Sequence, residues 1–349
     1  MRGLLALVAA VVAVAVSSTM AEAGPKWAIV VHGGAGVIER KDLTPEQDKA
    51  YRAAMARVTE AGAAVLRKGG SALDAIEAAI RFMEDDPLFN AGRGAVFAAD
   101  GRNELDSSIM DGRTLAAGAV ADVTRTRHPI SLARAVMEHS PHVFLVGDGA
   151  DAFAKSRGLE QVDPSFFFTE RRWRSLVREL EEQQLPIPPR PPGAPGASEA
   201  RAALAHDEGK HGTVGVVALD EHGDIAAGTS TGGTTAKRWG RVGDSPVIGA
   251  GTYASNAACA VSATGTGEYF IRLTVARTIC ALVQYKGMGL QAAADEVIQK
   301  ELTAMQGDGG VIAIAPDGQM AWSFNTSGMY RARLADGQPL VVGIYKDDP

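Results

Sequence analysis

The sequence predicts an α+β fold in which two antiparallel sheets pack face to face and carry helices on their outer surfaces. Segments with helical periodicity and segments with strand-like alternation occur in blocks, once before residue 184 and again from residue 213 onward. A sheet or helix with one apolar face must bury that face, and stacked layers of sheet and helix are the compact solution. The composition, 46% apolar and 22% charged, is that of a globular protein.

In the first block, a short apolar strand at residues 27–31 leads into a glycine-rich segment at residues 32–36. Apolar stripes at helical spacing predict a helix over residues 45–68 and a second helix from Ser71, where Asp74 completes a pattern like a capping box. The same reasoning predicts strands at residues 104–110, 115–123 and 142–146 and helices at residues 131–138, 150–157 and 169–184.

The second block restarts the pattern after residue 213. Alternating residues predict strands on either side of a turn at residues 220–223, and long apolar stripes then predict two helices. The predicted strands are residues 213–219, 224–229, 310–314, 319–323, 329–334 and 340–344, and the predicted helices are residues 267–285 and 290–301.

Residues 1–23 have the features of a secretory signal peptide. Arg2 precedes an apolar stretch at residues 4–16, and Ala21-Glu22-Ala23 provides a cleavage site. A membrane anchor needs about 18 or more apolar residues, so the length favours export to the periplasm or the exterior.

Bulk charge and cysteine usage narrow the function classes. The net charge of −6 and the lack of a Lys/Arg cluster predict no nucleic-acid partner, and the short apolar segment predicts no membrane partner. Cys259 and Cys280 lack the spacing of metal ligands, and sequence does not decide whether they pair.

The most informative segment lies where a linker meets a strand. Residues 185–212 are rich in Pro, Gly, Ala and Ser, a composition that cannot bury enough surface to stay ordered. Thr213 follows directly and opens an apolar strand, which is how a β-branched residue is ordinarily used. Cleavage after Gly212 would instead make Thr213 a chain end that carries both an attacking hydroxyl and an amine base.

Three further segments contain groups suited to amide chemistry. Hydroxyl-rich residues 228–235 end a strand. Arg241 and Asp244 lie three residues apart, as a clamp for the carboxylate and amine of an amino acid or as an ordinary surface ion pair. Thr264 and Gly265 precede a helix, where backbone N–H groups can face a developing negative charge. Neither this turn nor residues 32–36 has the pattern of a phosphate-binding loop.

Taken in order, these segments closely resemble the plant-type asparaginase and isoaspartyl peptidase family of N-terminal nucleophile hydrolases. The matching motifs are His-Gly-Thr-Val-Gly at residues 211–215, Thr-Ser-Thr-Gly-Gly at 229–233, Gly-Arg-Val-Gly-Asp-Ser-Pro at 240–246, Thr-Gly-Thr-Gly-Glu at 264–268, His-Gly-Gly-Ala-Gly at 32–36 and Pro-Leu-Phe-Asn-Ala-Gly at 87–92. The resemblance spans nearly all of the chain beyond the leader and outside the linker. It differs at Ala236 and at Arg238-Trp239, which flank the clamp.

The resemblance implies a precursor that cuts itself between Gly212 and Thr213. The α subunit would be residues 24–212 and the β subunit residues 213–349, together forming one domain with a four-layer αββα sandwich. Two such heterodimers would associate as (αβ)2. The implied function is hydrolysis of β-aspartyl (isoaspartyl) dipeptides and L-asparagine, with release of L-aspartate.

The resemblance also implies roles for individual residues. Thr213 is similar to the family's nucleophile and base, and Thr231 to the threonine that orients it. Thr264 and Gly265 are similar to the oxyanion hole. The residues implied to bind substrate are Arg241, Val242, Gly243, Asp244, Thr264, Gly265, Thr266 and Gly267.

No cofactor is implied for catalysis, but a structural Na+ ion is. The turn after the second helix is similar to the family's sodium-binding loop, whose main-chain carbonyls hold the ion; carbonyl oxygen suits a hard cation. The implied carbonyl ligands are those of Met83, Glu84, Asp86, Phe89, Ala91 and Arg93.

Three alternatives remain open from sequence. Glycosylasparaginase resembles residues 240–246, but it typically has Asp before the nucleophile and Thr-Gly-Asn-Gly-Asp where this chain has residues 264–268. A threonine aspartase acting on proteins would need an insertion to hold its substrate. An uncleaved amino-acid-binding protein is the alternative outside enzymes. The sequence does not rank asparagine against isoaspartyl dipeptides.

Overall fold

The computed structural model describes residues 24–194 and 212–349. The predicted signal peptide and most of the predicted linker, residues 195–211, lie outside the described residues. The helices are α1 (Pro45–Leu66), α2 (Ala72–Asp85), α3 (Pro129–His139), α4 (Gly147–Ser156), α5 (Glu170–Glu182), α6 (Gly267–Leu273), α7 (Val275–Lys286) and α8 (Leu290–Asp295). The strands are β1 (Ala28–Gly36), β2 (Leu105–Asp111), β3 (Ala117–Val123), β4 (Phe144–Val146), β5 (Val214–Leu219), β6 (Ile225–Thr231), β7 (Thr252–Ala254), β8 (Ala260–Gly265), β9 (Gly309–Ile314), β10 (Met320–Phe324), β11 (Gly328–Ala335) and β12 (Val341–Tyr345).

The strands form two sheets. The larger has the order β12-β11-β1-β5-β6-β2-β3-β4 and the smaller the order β10-β9-β8-β7. Adjacent strands are antiparallel except β3 and β4, which are parallel, so the prediction of purely antiparallel sheets is wrong at that edge. The parallel pair arises because α3 forms a crossover connection between the two strands.

Apolar side chains fill the space between the sheets and beneath the helices. Val30, Val217 and Ile225 of the larger sheet pack with Ala260 and Ile312 of the smaller one. The opposite face of the larger sheet forms one buried cluster with α1 to α4, and the opposite face of the smaller sheet forms another with α6 to α8. The predicted burial of helices against two facing sheets is therefore present.

The start of α2 was predictable because its signals are local. The Ser71 side chain accepts a hydrogen bond from the Asp74 N–H, and the Asp74 carboxylate accepts one from the Ser71 N–H, as the capping-box pattern predicts. Thr44 and Gln47 form the same box at the start of α1.

Two predictions in the second block are wrong. Residues 267–285 form two helices because Thr274 adopts a left-handed conformation (φ +46°, ψ +50°). The first free N–H groups of α7 donate to the Ala250 and Gly249 carbonyls, so contacts distant in sequence set the break. Strands β7 and β8 were missed because β7 has three residues and the end of β8 has the composition of a glycine-rich turn.

Two features bear on the linker and the cysteines. Arg190, in the described part of the linker, donates to the Glu170 carboxylate at 2.7 and 2.9 Å. Cys259 and Cys280 form a disulfide with a Cα–Cα distance of 5.3 Å, which joins the start of β8 to α7.

No helix among residues 24–194 and 212–349 is long and apolar enough to cross a membrane.

Candidate active site

Thr213 lies just before β5, at the mouth between the two sheets. It is 7% exposed, and its hydroxyl donates to the Thr231 hydroxyl on the neighbouring strand at 3.0 Å. The N–H of Gly233 donates to the same Thr231 oxygen at 3.0 Å. The β5–β6 register makes this contact, because the pairing of Val214 with Ser230 places Thr213 opposite Thr231.

The Gly212–Thr213 peptide bond lies against Gly34 of β1. Gly34 has φ +114°, and a Cβ added there would lie 2.8 Å from the Gly212 Cα and 3.2 Å from its carbonyl carbon. Only glycine tolerates both this conformation and this approach. The glycine-rich segment after the predicted first strand is thus part of β1 and forms one wall of the site.

His32, which the sequence analysis noted only as part of a motif, holds the Thr213 main chain. Its Nδ1 lies 3.1 Å from the Thr213 carbonyl oxygen and its Nε2 lies 2.9 Å from the Ser262 hydroxyl. Burial lowers the pKa of His32 to about 3, so the ring is neutral. A carbonyl can only accept, so Nδ1 carries the proton and Nε2 accepts from Ser262.

The smaller sheet brings Thr264 and Gly265 to the same mouth. Thr264 is fully buried, and its hydroxyl accepts from the Ala35 N–H at 3.4 Å. Ala35 adjoins Gly34, so the end of β1 joins the Gly212–Thr213 bond on one side to Thr264 on the other. At Gly265, φ is +156° and an added Cβ would lie 2.3 Å from the Asp308 carbonyl oxygen, which explains the glycine.

Arg241 and Asp244 meet the N-terminus of α6. The Arg241 guanidinium donates twice to the Glu268 carboxylate, at 3.0 Å each. A Cβ added at Gly267 would lie 2.9 Å from Asp244 Oδ1 and 3.0 Å from Arg241 Nη2, so this glycine backbone touches both groups. The two charges therefore converge, as a clamp for an amino acid requires.

The electrostatics of Asp244 are unusual. It is 3% exposed, and its Oδ2 has no hydrogen-bond partner among the described residues. Burial raises the pKa of the Asp244 carboxyl to about 7, against the opposing effect of Arg241. A cationic partner such as a substrate ammonium group would therefore strongly stabilise the charged form of this carboxyl group.

The remaining residues of the predicted substrate site lie beside this pair. Val242 and Gly243 form the turn between Arg241 and Asp244, and a Cβ at Gly243 would lie 2.9 Å from Arg241 Nη1. Thr266 occupies the N-cap position of α6 without a side-chain cap hydrogen bond, and its hydroxyl donates to the Asp308 carboxylate.

Asp106 of β2 was missed by the sequence analysis. It pairs with Thr231 across β2 and β6, so both side chains lie on the face that carries Thr213. Asp106 is 1% exposed, its Oδ1 accepts from the Asp122 N–H at 3.0 Å, and burial raises its pKa against the effect of Lys237. No local signal could have found it, because its position depends on pairing between strands distant in sequence.

In the predicted cation loop, main-chain carbonyl oxygens lie close to the backbone of two glycines. A Cβ added at Gly92 would lie 2.2 Å from the Glu84 carbonyl oxygen, and one at Gly94 would lie 1.9 Å from that of Phe89. The described residues contain no group of three or more His, Cys, Asp or Glu side chains placed to bind a metal. Main-chain carbonyl oxygens are donors that a hard alkali cation prefers.

The Glu84 side chain connects this loop to β6. Its Oε1 accepts from the Ser230 hydroxyl at 2.7 Å and from the Ile130 N–H at 3.0 Å. Burial raises its pKa, and nearby His128 opposes that rise. Ser230 precedes Thr231, which bonds Thr213, so the Glu84 side chain supports both the loop and the strand that contacts Thr213.

Comparison with known proteins gives consistent matches over nearly the whole chain. Residues 25–344 match the family model described as asparaginase. The isoaspartyl peptidase of Escherichia coli is 48% identical over 322 residues, covering 92% of this chain and 97% of that protein. The isoaspartyl peptidase of Salmonella typhimurium is 47% identical over 322 residues (92% and 99%), and the plant-type L-asparaginase of Pyrococcus abyssi is 40% identical over 311 residues (89% and 97%).

Proposed function

Because the chain belongs to the asparaginase family, we propose that it is a self-processing threonine amidohydrolase that converts β-aspartyl dipeptides and L-asparagine to L-aspartate. The observation that carries the proposal is the buried Thr213 hydroxyl, bonded to Thr231 beside the Gly212–Thr213 peptide bond. The reaction requires no catalytic cofactor.

Activation is an intramolecular acyl shift. The Thr213 hydroxyl attacks the Gly212 carbonyl carbon, the C–N bond breaks, and the nitrogen takes up the proton. Water then hydrolyses the resulting ester and leaves a Gly212 carboxylate and a Thr213 amine. The packing of helices on two facing sheets supports the four-layer αββα arrangement, in which both subunits contribute strands to the larger sheet. Two such heterodimers associate as (αβ)2.

Substrate binding uses the opposite charges beside α6. The guanidinium of Arg241 binds the substrate α-carboxylate in place of Glu268, and Asp244 accepts from the α-ammonium. This orientation aims the substrate side-chain amide between Thr213 and Thr264. Arg241 is 18% exposed and Glu268 58% exposed, so a substrate carboxylate can exchange with the Glu268 side chain at little cost.

Turnover repeats the chemistry of activation. Thr213 Oγ attacks the amide carbon while its own amine, with a reference pKa of about 7.7–8.0, takes the proton. The Thr264 hydroxyl and the Gly265 N–H donate to the oxyanion, an effect worth roughly 3–4 kcal/mol per donor. Ammonia or an amino acid leaves with that proton, and water hydrolyses the ester to release aspartate.

We propose that the loop after α2 binds a structural Na+ ion. The carbonyl oxygens of Met83, Glu84, Asp86, Phe89, Ala91 and Arg93 would hold it. When bound, the ion would neutralise the converging carbonyl dipoles and stiffen the support that the Glu84 side chain gives to β6.

The protein is exported to the periplasm or the exterior. The leader-like residues 1–23 suggest this location, and the Cys259–Cys280 disulfide supports it, since disulfides persist mainly in oxidising compartments. The glycosylasparaginase alternative is not favoured, because the curated relatives are named isoaspartyl peptidases and L-asparaginases.

Mass spectrometry and three substrates test the function. The folded protein should give two fragments, the smaller beginning at Thr213, and should hydrolyse L-asparagine and a β-aspartyl dipeptide but not a glycosylated asparagine. An intact chain that binds amino acids without hydrolysis would contradict the proposal.

The wall formed by Gly34 gives a first mutational prediction. Gly34→Ala should slow self-cleavage at least about tenfold. The added methyl group would collide with Gly212, and alanine would have to adopt the positive φ of residue 34. A gel time course of the two fragments measures the rate. Gly36→Ala is the matched control, since an added Cβ there meets nothing within 4 Å. Equal rates in the two variants would refute this role of Gly34.

A further inference from the structure

A pocket lies beside the candidate active site and has no role in the chemistry described above. It measures about 340 Å³, within the roughly 300–1,000 Å³ typical of ligand sites. Its polar and aromatic lining comes from the segment before β2 and the segment before the clamp: Asp100, Arg102, Glu104, Lys237, Arg238 and Trp239.

Gly233 lies between a residue of the pocket and a residue of the clamp. A Cβ added at Gly233 would lie 3.2 Å from Lys237 Nζ, which lines the pocket, and 3.5 Å from Arg241 Nη1 of the clamp. The Gly233 N–H donates to Thr231, which bonds the Thr213 hydroxyl. The pocket also continues to Gly240, the residue before Arg241.

The order of groups around the reacting carbon directs the leaving group toward the larger sheet. In the tetrahedral intermediate the oxyanion faces Thr264 and Gly265 of the smaller sheet, and the rest of the aspartyl group runs to the clamp. The leaving nitrogen therefore points away from the smaller sheet. Thr231 ends β6 of the larger sheet and Gly233 follows it, and the Gly233 backbone adjoins Lys237 of the pocket.

The lining is suited to an amino acid with a large side chain. Trp239 is 92% exposed in a left-handed conformation (φ +60°), which presents a bare indole to solvent. The Arg238 guanidinium lies 4.6 Å from the centre of that ring. Arg102 and Lys237 contact Glu104 at 3.1 and 3.6 Å, and the three cations outnumber the two carboxylates by one.

We propose that this pocket binds the amino acid that leaves from a β-aspartyl dipeptide and favours leaving residues with aromatic side chains. The aromatic ring stacks on Trp239, and the free carboxylate of the leaving residue faces Arg238. The proposal rests on the proposed function, and it names the substrate class: dipeptides with an aromatic second residue, in preference to asparagine, whose ammonia is too small to reach the pocket.

Substrate pairs in the processed enzyme test the pocket. In Trp239→Ala, kcat/KM for β-aspartyl-phenylalanine should fall about tenfold more than kcat/KM for L-asparagine, mainly through KM. In Arg238→Leu, kcat/KM for β-aspartyl-phenylalanine and kcat/KM for β-aspartyl-glycine should both fall relative to kcat/KM for asparagine. Tyr285→Ala is the control, because Tyr285 is a 71% exposed aromatic residue at the end of α7, outside the pocket lining. Free L-phenylalanine should inhibit the wild type more strongly than Trp239→Ala.

The outcomes distinguish failure of the pocket proposal from failure of the proposed function. Turnover of both substrates with the same dipeptide-to-asparagine ratio in wild type and Trp239→Ala would reject the pocket alone. A processed wild-type enzyme that hydrolyses neither substrate would reject the proposed function and the pocket's occupant with it. Both fragments should appear in Trp239→Ala, since an exposed side chain contributes little to folding.

Discussion

Thr213→Ala should remain a single chain and lose all measurable hydrolysis. The substitution removes the hydroxyl that attacks the Gly212 carbonyl, so the α-amine that serves as base is never formed. One side chain thus accounts for both processing and turnover. Removal of a catalytic nucleophile typically costs many orders of magnitude, and we expect a loss of at least about 10⁴-fold.

A gel and an asparagine assay measure this result, and two variants control it. Thr213→Ser keeps a hydroxyl and should process and hydrolyse at reduced rates. Thr303→Ala removes an exposed threonine hydroxyl that donates to the Ile298 carbonyl oxygen and accepts from the Asn325 side chain, and it should process and hydrolyse as the wild type does. Two fragments, or full turnover, in Thr213→Ala would end the assignment of Thr213 as nucleophile.

The sequence predicts the elements whose signals are local. Helices α1 and α2 have apolar stripes and capping residues within a few positions, and they begin where those residues place them. Strand β5 begins at Val214, one residue after its predicted start, and ends at the predicted residue. Thr213 and Thr231 could be matched because their motifs flank this strand and the next one.

Contacts between distant segments set what the sequence does not predict. The support of Thr213 by His32 and Ser262 depends on β1 pairing with β5 and on the two sheets facing each other. The position of Asp106 beside Thr231 depends on β2 pairing with β6. Likewise, the break at Thr274 follows from hydrogen bonds to a loop more than twenty residues earlier, and they override the continuous apolar stripe.

Asp244→Asn should weaken substrate capture and stabilise the substrate-free protein. The amide keeps the shape of the carboxyl group but loses the charge that attracts the α-ammonium. A hydrogen bond to a charged group contributes about 1.5–3 kcal/mol, so kcat/KM for asparagine should fall roughly 10- to 150-fold. In the wild type, KM should rise as pH falls through about 7, because the protonated carboxyl no longer attracts the ammonium.

The stability effect has the opposite sign because the unoccupied carboxyl is buried. Its pKa is raised from 3.8 to about 7, so the folded state binds the proton more tightly than the unfolded state does. The free energy of unfolding of the wild type should therefore equal that of Asp244→Asn near pH 3.5. It should fall below that of the variant as pH rises toward 7. The difference should reach on the order of 4 kcal/mol above that pH.

Urea unfolding from pH 3.5 to 8 measures the difference, with Thr213→Ala as the background so that a single chain unfolds. Asp336→Asn, which removes an exposed carboxylate, should follow the parent at every pH. A parent and an Asp244→Asn variant of equal stability at pH 8 would show that the carboxyl carries no burial penalty. In that case the asparagine KM of the wild type would not depend on pH near 7, because both effects arise from the same raised pKa.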